Sequence, residues 1–222
     1  NLARYFSPRL VDSLAQSDDP LGAVRTQKVA VLFADVVGFT RLSEQQTPEQ
    51  VIGLLRGLHE RLEAAVFEHR GSLDKYLGDG VMATFGTPSV GPRDAADALE
   101  CALKMLASVA AWNRTRAAAD ALPIRLSIGI HYGEVVLGDV GSARRLEFAV
   151  IGDVVNVASR LEALTREIGT PLLVSGAVIE AIEAGADPDA ADLIGGLRPT
   201  APQSLRGRER PVAAWALRAD IG

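Results

Sequence analysis

The 222-residue sequence predicts an α/β (α+β) fold, with a ferredoxin-like βαββαβ core, further strands and helices after it, and a short helical lead-in before it. Three observations carry that prediction. A nearly unbroken apolar run at 29–34, rich in β-branched residues, reads as a buried central strand. Two stretches, 51–65 and 96–110, repeat apolar residues at helical spacing. Two pairs of short strand-like runs meet at glycines, one pair at 78–80 and one at 132–133, and read as hairpins.

The elements follow in order. Ser7 is placed to cap a short helix with Pro8 in its first turn, and 16–22 (QSDDPLG) reads as a linker. Residues 1–24 are therefore expected to be a lead-in from an upstream domain, and 25–222 the globular domain. The chain starts at Asn1 without a charged leader and apolar stretch, so a piece of a longer protein is expected. The strand at 29–34 ends at Asp35, and Gly38-Phe39-Thr40 begins a turn or short helix. Thr47, Pro48 and Gln50 make a capping box at a helix start, after which Val51, Leu54, Leu55, Leu58, Leu62 and Ala65 share a face.

Gly71 ends that helix, and 72–77 and 81–85 flank the Gly78-Asp79-Gly80 turn. A helix opened by Gly91-Pro92 has Ala96, Leu99, Leu103, Leu106 and Ala110 along one side. Residues 124–130 and 134–137 are expected to form a second hairpin around Tyr132-Gly133. A brief strand at 148–151, a helix from Gly152-Asp153 to about Glu167, and a strand at 171–174 come next. Residues 184–203 read as a loose excursion, and 205–217 as a final strand or pair of strands.

Composition narrows the function. A hydrophobic content of 48% excludes a chain disordered throughout, and no apolar run reaches the ~18 residues of a membrane span. One cysteine cannot make an internal disulfide framework and fits a reducing compartment. Without a CxxC pair and with three histidines, a zinc site is not indicated. The net charge of −5 gives no global basic footprint for nucleic acid, so none is expected as a partner. Lysines make up 3 of the 23 basic residues, so each lysine stands out.

Three clusters carry chemistry. Asp35 closes a buried strand and Asp79 sits at a hairpin tip. If neighbouring strands bring them together, two carboxylates suit Mg²⁺ shared with a substrate phosphate. Taken singly, Asp35 reads more readily as a helix cap and Asp79 as an ordinary turn aspartate. Gly38 permits close backbone approach beside Asp35, where amides can meet phosphate. Asn156 and Arg160 lie four apart on one helix face. The amide suits a sugar oxygen and the guanidinium a phosphate, although such pairs are usually solvated. Lys75 precedes Asp79 on its strand, and Arg144, Arg145, Arg206, Arg208 and Arg210 form local basic clusters.

FADVVGFT (33–40), DKYLGDGVMATFG (74–86), IRLSIGIHYGEVVLGDVG (124–141) and VIGDVVNVASRLE (150–162), in that order, resemble the signatures of class III adenylate/guanylate cyclase catalytic domains. The resemblance implies an enzyme that closes ATP to 3′,5′-cyclic AMP with loss of pyrophosphate, using two Mg²⁺ or Mn²⁺ ions per site. It implies Asp35, Asp79 and the neighbouring Val36 at the metals, and Gly38, Phe39 and Thr40 at the phosphates. Asn156 would orient the ribose, and Arg160 would face the charge developing on the α-phosphate. Arg144 and Arg206 would reach the triphosphate.

Lys75 matches a base-selecting position and favours adenine. Ala149 falls at the other such position, where adenylate cyclases usually carry Asp or Thr. The alternatives are therefore a guanylate or dual-specificity cyclase, or a silent nucleotide-binding module. The family builds its sites between two domains, and this chain carries both residue sets, which implies a head-to-tail homodimer. A cytoplasmic domain is expected, with an upstream regulatory domain and possible membrane tethering of the full-length protein.

Overall fold

A computed structural model describes residues 24–118, 121–142, 145–185, 187–205, 208 and 210–218. Residues 1–23 of the predicted lead-in, Arg144 and Arg206 lie outside these residues. The strands are β1 (Arg25–Val36), β2 (Ser72–Leu77), β3 (Gly80–Phe85), β4 (Leu126–Ser142), β5 (Arg145–Ile151), β6 (Leu172–Ser175), β7 (Leu197–Pro199) and β8 (Ala214–Leu217). The helices, numbered separately, are α1 (Phe39–Ser43), α2 (Pro48–Glu68), α3 (Asp94–Ala117), α4 (Asp153–Ile168), α5 (Gly176–Ala184) and α6 (Pro188–Gly195).

One sheet runs β2-β3-β1-β4-β6-β8-β7, with β5 paired to β4. Its first four strands have the order of the expected βαββαβ core. β1 is central, flanked by β3 and β4, and alternates between two cores. Ala30, Leu32, Ala34 and Val36 pack with α2, α3 and α5 on one face, whereas Val29 and Val31 meet Val154 and Ala158 of α4 on the other. Helices therefore cover both faces, where a ferredoxin-like core alone places them on one.

Local signals at α2 act as read. The Thr47 hydroxyl accepts from the Gln50 amide at 3.3 Å, and the Gln50 side chain accepts from the Thr47 amide at 2.9 Å. Its buried stripe is Leu54, Leu58, Leu62, Ala65 and Val66, with Val51 and Leu55 at the margin. Gly71 follows because a Cβ there would lie 2.6 Å from the Phe85 ring.

Three expectations change. Tyr132-Gly133 is no hairpin: β4 runs straight through it, paired with β1 from Arg25↔Leu137 to Val36↔Leu126. The long partner supplies every backbone bond a turn would have broken, and the hairpin falls instead between β4 and β5. In α3 the buried face is Leu99, Cys101, Ala102, Met105 and Val109, while Leu103 and Leu106 are half-buried and Ala110 is exposed. The helix is wedged between the sheet, α2 and α5, so its small residues turn inward. The stretch 184–203 holds α6, capped by the Asp187 side chain, and β7. The expected final strand within 205–217 is β8, and Gln203 and Val212 form an isolated bridge beside it.

α4 lies tight on β4 at one point. A Cβ on Gly129 would sit 2.2 Å from the Glu162 amide nitrogen and 2.4 Å from the Ala158 carbonyl oxygen. Only glycine admits this crossing. It presses the Ser159–Glu162 segment of α4 toward the end of β1 that carries Asp35.

Candidate active site

Asp35 leaves the sheet next to β3, since Ala34 pairs with Val81. The contact is through the second strand of the hairpin, with β2 at the sheet edge, so the tip bearing Asp79 folds back beside Asp35. Gly78 turns the chain with φ +72°, a conformation that favours glycine. Gly80 lets the two strands close, because a Cβ there would meet the Ala34 carbonyl at 2.7 Å and Asp35 Oδ1 at 2.9 Å. A cavity of about 240 Å³ results, lined by Asp35, Leu77, Asp79, Gly80, Ser159 and Glu162 among others. Larger cavities of about 480 and 500 Å³ border α3, but neither includes either aspartate.

The electrostatics of this cavity are anionic. Burial raises the Asp35 carboxyl above its ordinary range, and the nearby charge of Asp79 raises it further; Arg166 opposes both. Arg166 Nη2 donates to Asp35 Oδ2 at 3.1 Å and to Glu162 Oε1 at 2.6 Å. Burial also raises Glu162, against a hydrogen bond from the Ser127 hydroxyl and the charge of Arg166. Among the described residues no group of three or more His, Cys, Asp and Glu side chains could hold a metal. Two converging carboxylates nonetheless fit Mg²⁺ or Mn²⁺, because Mg²⁺ commonly takes one or two protein carboxylates and completes its shell with water and substrate phosphate. Val36 adds no side chain to that set: it is buried on the α2/α3 face, while its amide donates to the Asp35 carboxylate.

Gly38 adopts φ +72° just before α1, and a Cβ there would touch nothing within 4 Å. The backbone at Gly38 is thus open to an approaching group, with Phe39 half-buried and Thr40 exposed beside it.

The second set of predicted residues lies elsewhere in the chain. Asn156 is exposed and Arg160 half-buried on α4, while Lys75 is exposed on the edge strand β2 with its Nζ 3.2 Å from Asp74. None of the three lines the cavity at Asp35 and Asp79. Ala149 is half-buried on β5, opposite Gly138 of β4. Arg208, in one of the basic clusters, pairs with Asp153 at 3.4 Å.

Sequence reading missed two supports. His59 Nε2 lies 3.1 Å from the Gly78 carbonyl, and its ring stacks on Tyr76 with centroids 4.3 Å apart. The Tyr76 hydroxyl donates to Glu63 at 2.7 Å. α2 thereby grips the hairpin that carries Asp79. The other support is Glu162 with Arg166, on the cavity side of α4. In both cases the only signal was an i,i+4 pair of polar residues, which reads as a solvated helix face.

The comparisons with known proteins identify the family and the fold. The chain belongs to the adenylate and guanylate cyclase catalytic domain family, whose pattern matches residues 21–186. It is 37% identical over 153 residues to adenylate cyclase 1 of Rhizobium meliloti, covering 69% of this chain and 23% of that protein. The chain thus spans about a quarter of the length of that curated relative. Its fold matches the adenylyl cyclase CyaB from P. aeruginosa with a TM-score of 0.74 and 27% identity, over 90% of this chain and 100% of that one. It matches the guanylyl cyclase Cya2 with the same TM-score of 0.74 and 26% identity, over 88% of this chain and 94% of that one. Equal likeness to cyclases of both kinds means that the backbone does not decide the base. No helix among the described residues is long and apolar enough to cross a membrane.

Proposed function

We propose that this chain converts ATP to 3′,5′-cyclic AMP and pyrophosphate, at two equivalent sites formed between two copies of itself. The observation that carries the reading is the separation of its two residue sets. Asp35 and Asp79 share one cavity, while Lys75, Asn156 and Arg160 lie outside its lining. A second copy related by a two-fold axis can bring one chain's second set over the other's cavity. Exposed apolar side chains support such a partner surface: Tyr76 and Leu77 on β2, Val136 and Val140 on β4, and Ile151 at the end of β5.

In this reading Asp35 and Asp79 hold the divalent cations, with Val36 contributing at most its backbone. Two such cations would lower the pKa of the 3′-hydroxyl and neutralise the triphosphate. The open backbone amides at Gly38-Phe39-Thr40 donate to phosphate oxygens. Asn156 orients the ribose through its amide. Arg160 places a planar set of N–H donors where charge grows on the α-phosphate, and such preorganised donors usually supply the largest part of catalysis. Arg144 and Arg206 are assigned to the triphosphate by family position alone.

Lys75 supports adenine, because an ammonium donates to an acceptor ring nitrogen and opposes a ring N–H. The 37% identity with a named adenylate cyclase points the same way. Ala149 favours a second reading, guanylate or dual-specificity turnover, since its methyl cannot accept from the adenine amino group. Specific activity measured against protein concentration, with ATP and with GTP in parallel, tests the proposal. Activity per chain should rise with concentration and be larger with ATP. A preference for GTP would overturn the role of Lys75, and ATP binding without product would mark a silent module.

A further inference from the structure

Arg166 belongs to none of the residue sets assigned above, yet it touches the candidate metal carboxylate. Asp35 presents its two oxygens to different neighbours. Oδ1 lies on the hairpin side, where a Cβ on Gly80 would come within 2.9 Å of it. Oδ2 accepts from Arg166 Nη2 at 3.1 Å. The arginine is in turn anchored from behind by Glu162 Oε1 at 2.6 Å, and the Ser127 hydroxyl lies 3.4 Å from the same Nη2. Ser127 donates to Glu162 and is 3.4 Å from the Asp35 carbonyl oxygen. Ser127 and Glu162 are 1% and 8% exposed, so the anchor is sealed from solvent although Arg166 itself is not.

An aspartate next to a like-charged aspartate lowers its energy by swinging its carboxylate away, and the terminal torsion of Asp is soft. Arg166 opposes that swing by fixing one oxygen. It also brings a positive charge to the group a cation must occupy. One placement therefore has two opposed effects: it orients Asp35 and it competes with the metal. We propose that Arg166 is a positioning residue of the cation site, holding Asp35 Oδ2 so that Oδ1 faces Asp79, with Glu162 carrying its charge when a cation takes the carboxylate. This rests on Asp35 being a metal ligand, as proposed above.

The test uses the whole chain with Arg166→Gln, Arg166→Lys, Glu162→Gln and Asp35→Asn. Mn²⁺ binding without nucleotide is read by electron paramagnetic resonance, and turnover at saturating Mn²⁺ and nucleotide is read separately. Arg166→Gln should bind Mn²⁺ about three- to fivefold tighter, the scale of one half-exposed ion pair, while kcat falls at least about tenfold. Arg166→Lys keeps the charge without the planar fork and should lie between. Glu162→Gln removes the competing anion, commits Arg166 to Asp35, and should weaken Mn²⁺ binding. If Arg166→Gln fails to fold, Arg166→Lys carries the same test. Unchanged or equally weakened Mn²⁺ binding in both variants overturns the inference. Wild-type Mn²⁺ binding by Asp35→Asn would instead overturn the metal assignment itself.

Discussion

If each site draws Asp35 and Asp79 from one chain and Asn156 and Arg160 from the other, two dead chains can make one live site. Asp35→Ala removes the metal carboxylate from one chain's cavity. Arg160→Ala removes the phosphate donor on α4, a residue outside the lining of that cavity. Either homodimer has two defective sites. In a heterodimer of the two variants, one site collects both defects and the other collects none. Dimers isolated with two different affinity tags should then recover about one half of wild-type activity, since one of two symmetric sites is intact. Placing both substitutions on one chain and pairing it with wild type gives the reverse count, one defect in each site and no activity. A site housed within one chain inverts both outcomes: the divided pair is dead and the combined pair half active. That inversion, measured as cyclic nucleotide formed per dimer, would refute the composite site whatever the absolute rates.

Three further outcomes follow from packing and charge. Gly129→Ala forces a methyl against backbone atoms of α4 at 2.2 and 2.4 Å, which no side-chain motion relieves. It should cost about 3 kcal/mol or more in urea unfolding. Gly53→Ala, in mid-α2 with nothing within 4 Å, should instead stabilise by about 0.5–1 kcal/mol in the same assay. His131, half-buried on β4 with Nδ1 2.7 Å from the Ser175 hydroxyl and near Arg208 and Asp153, has its pKa lowered from 6.5 to about 4, chiefly by desolvation. The unfolded chain binds that proton more readily, so stability is full above about pH 6.5 and declines as the pH falls toward 4, by up to about 3 kcal/mol. His131→Gln should flatten that limb; a wild-type slope in the variant would refute the assignment.

Features with local causes were legible in the residues alone. Thr47 and Gln50 cap α2 within four residues of each other, and Gly78 and Gly80 turn and close one hairpin. The motif order was enough to place the chain in a known family. What tertiary structure decided were features with causes far apart in the chain. Tyr132-Gly133 resembles a turn until Val29 and Ala30 pair with it across a strand about 100 residues away in sequence. Glu162 and Arg166, like His59 and Glu63, resemble solvated pairs until α4 is pressed onto Gly129 and the hairpin folds back on α2. A helix sequence shows which residues share a side, but what that side faces depends on burial contributed by other strands, and periodicity carries no record of it.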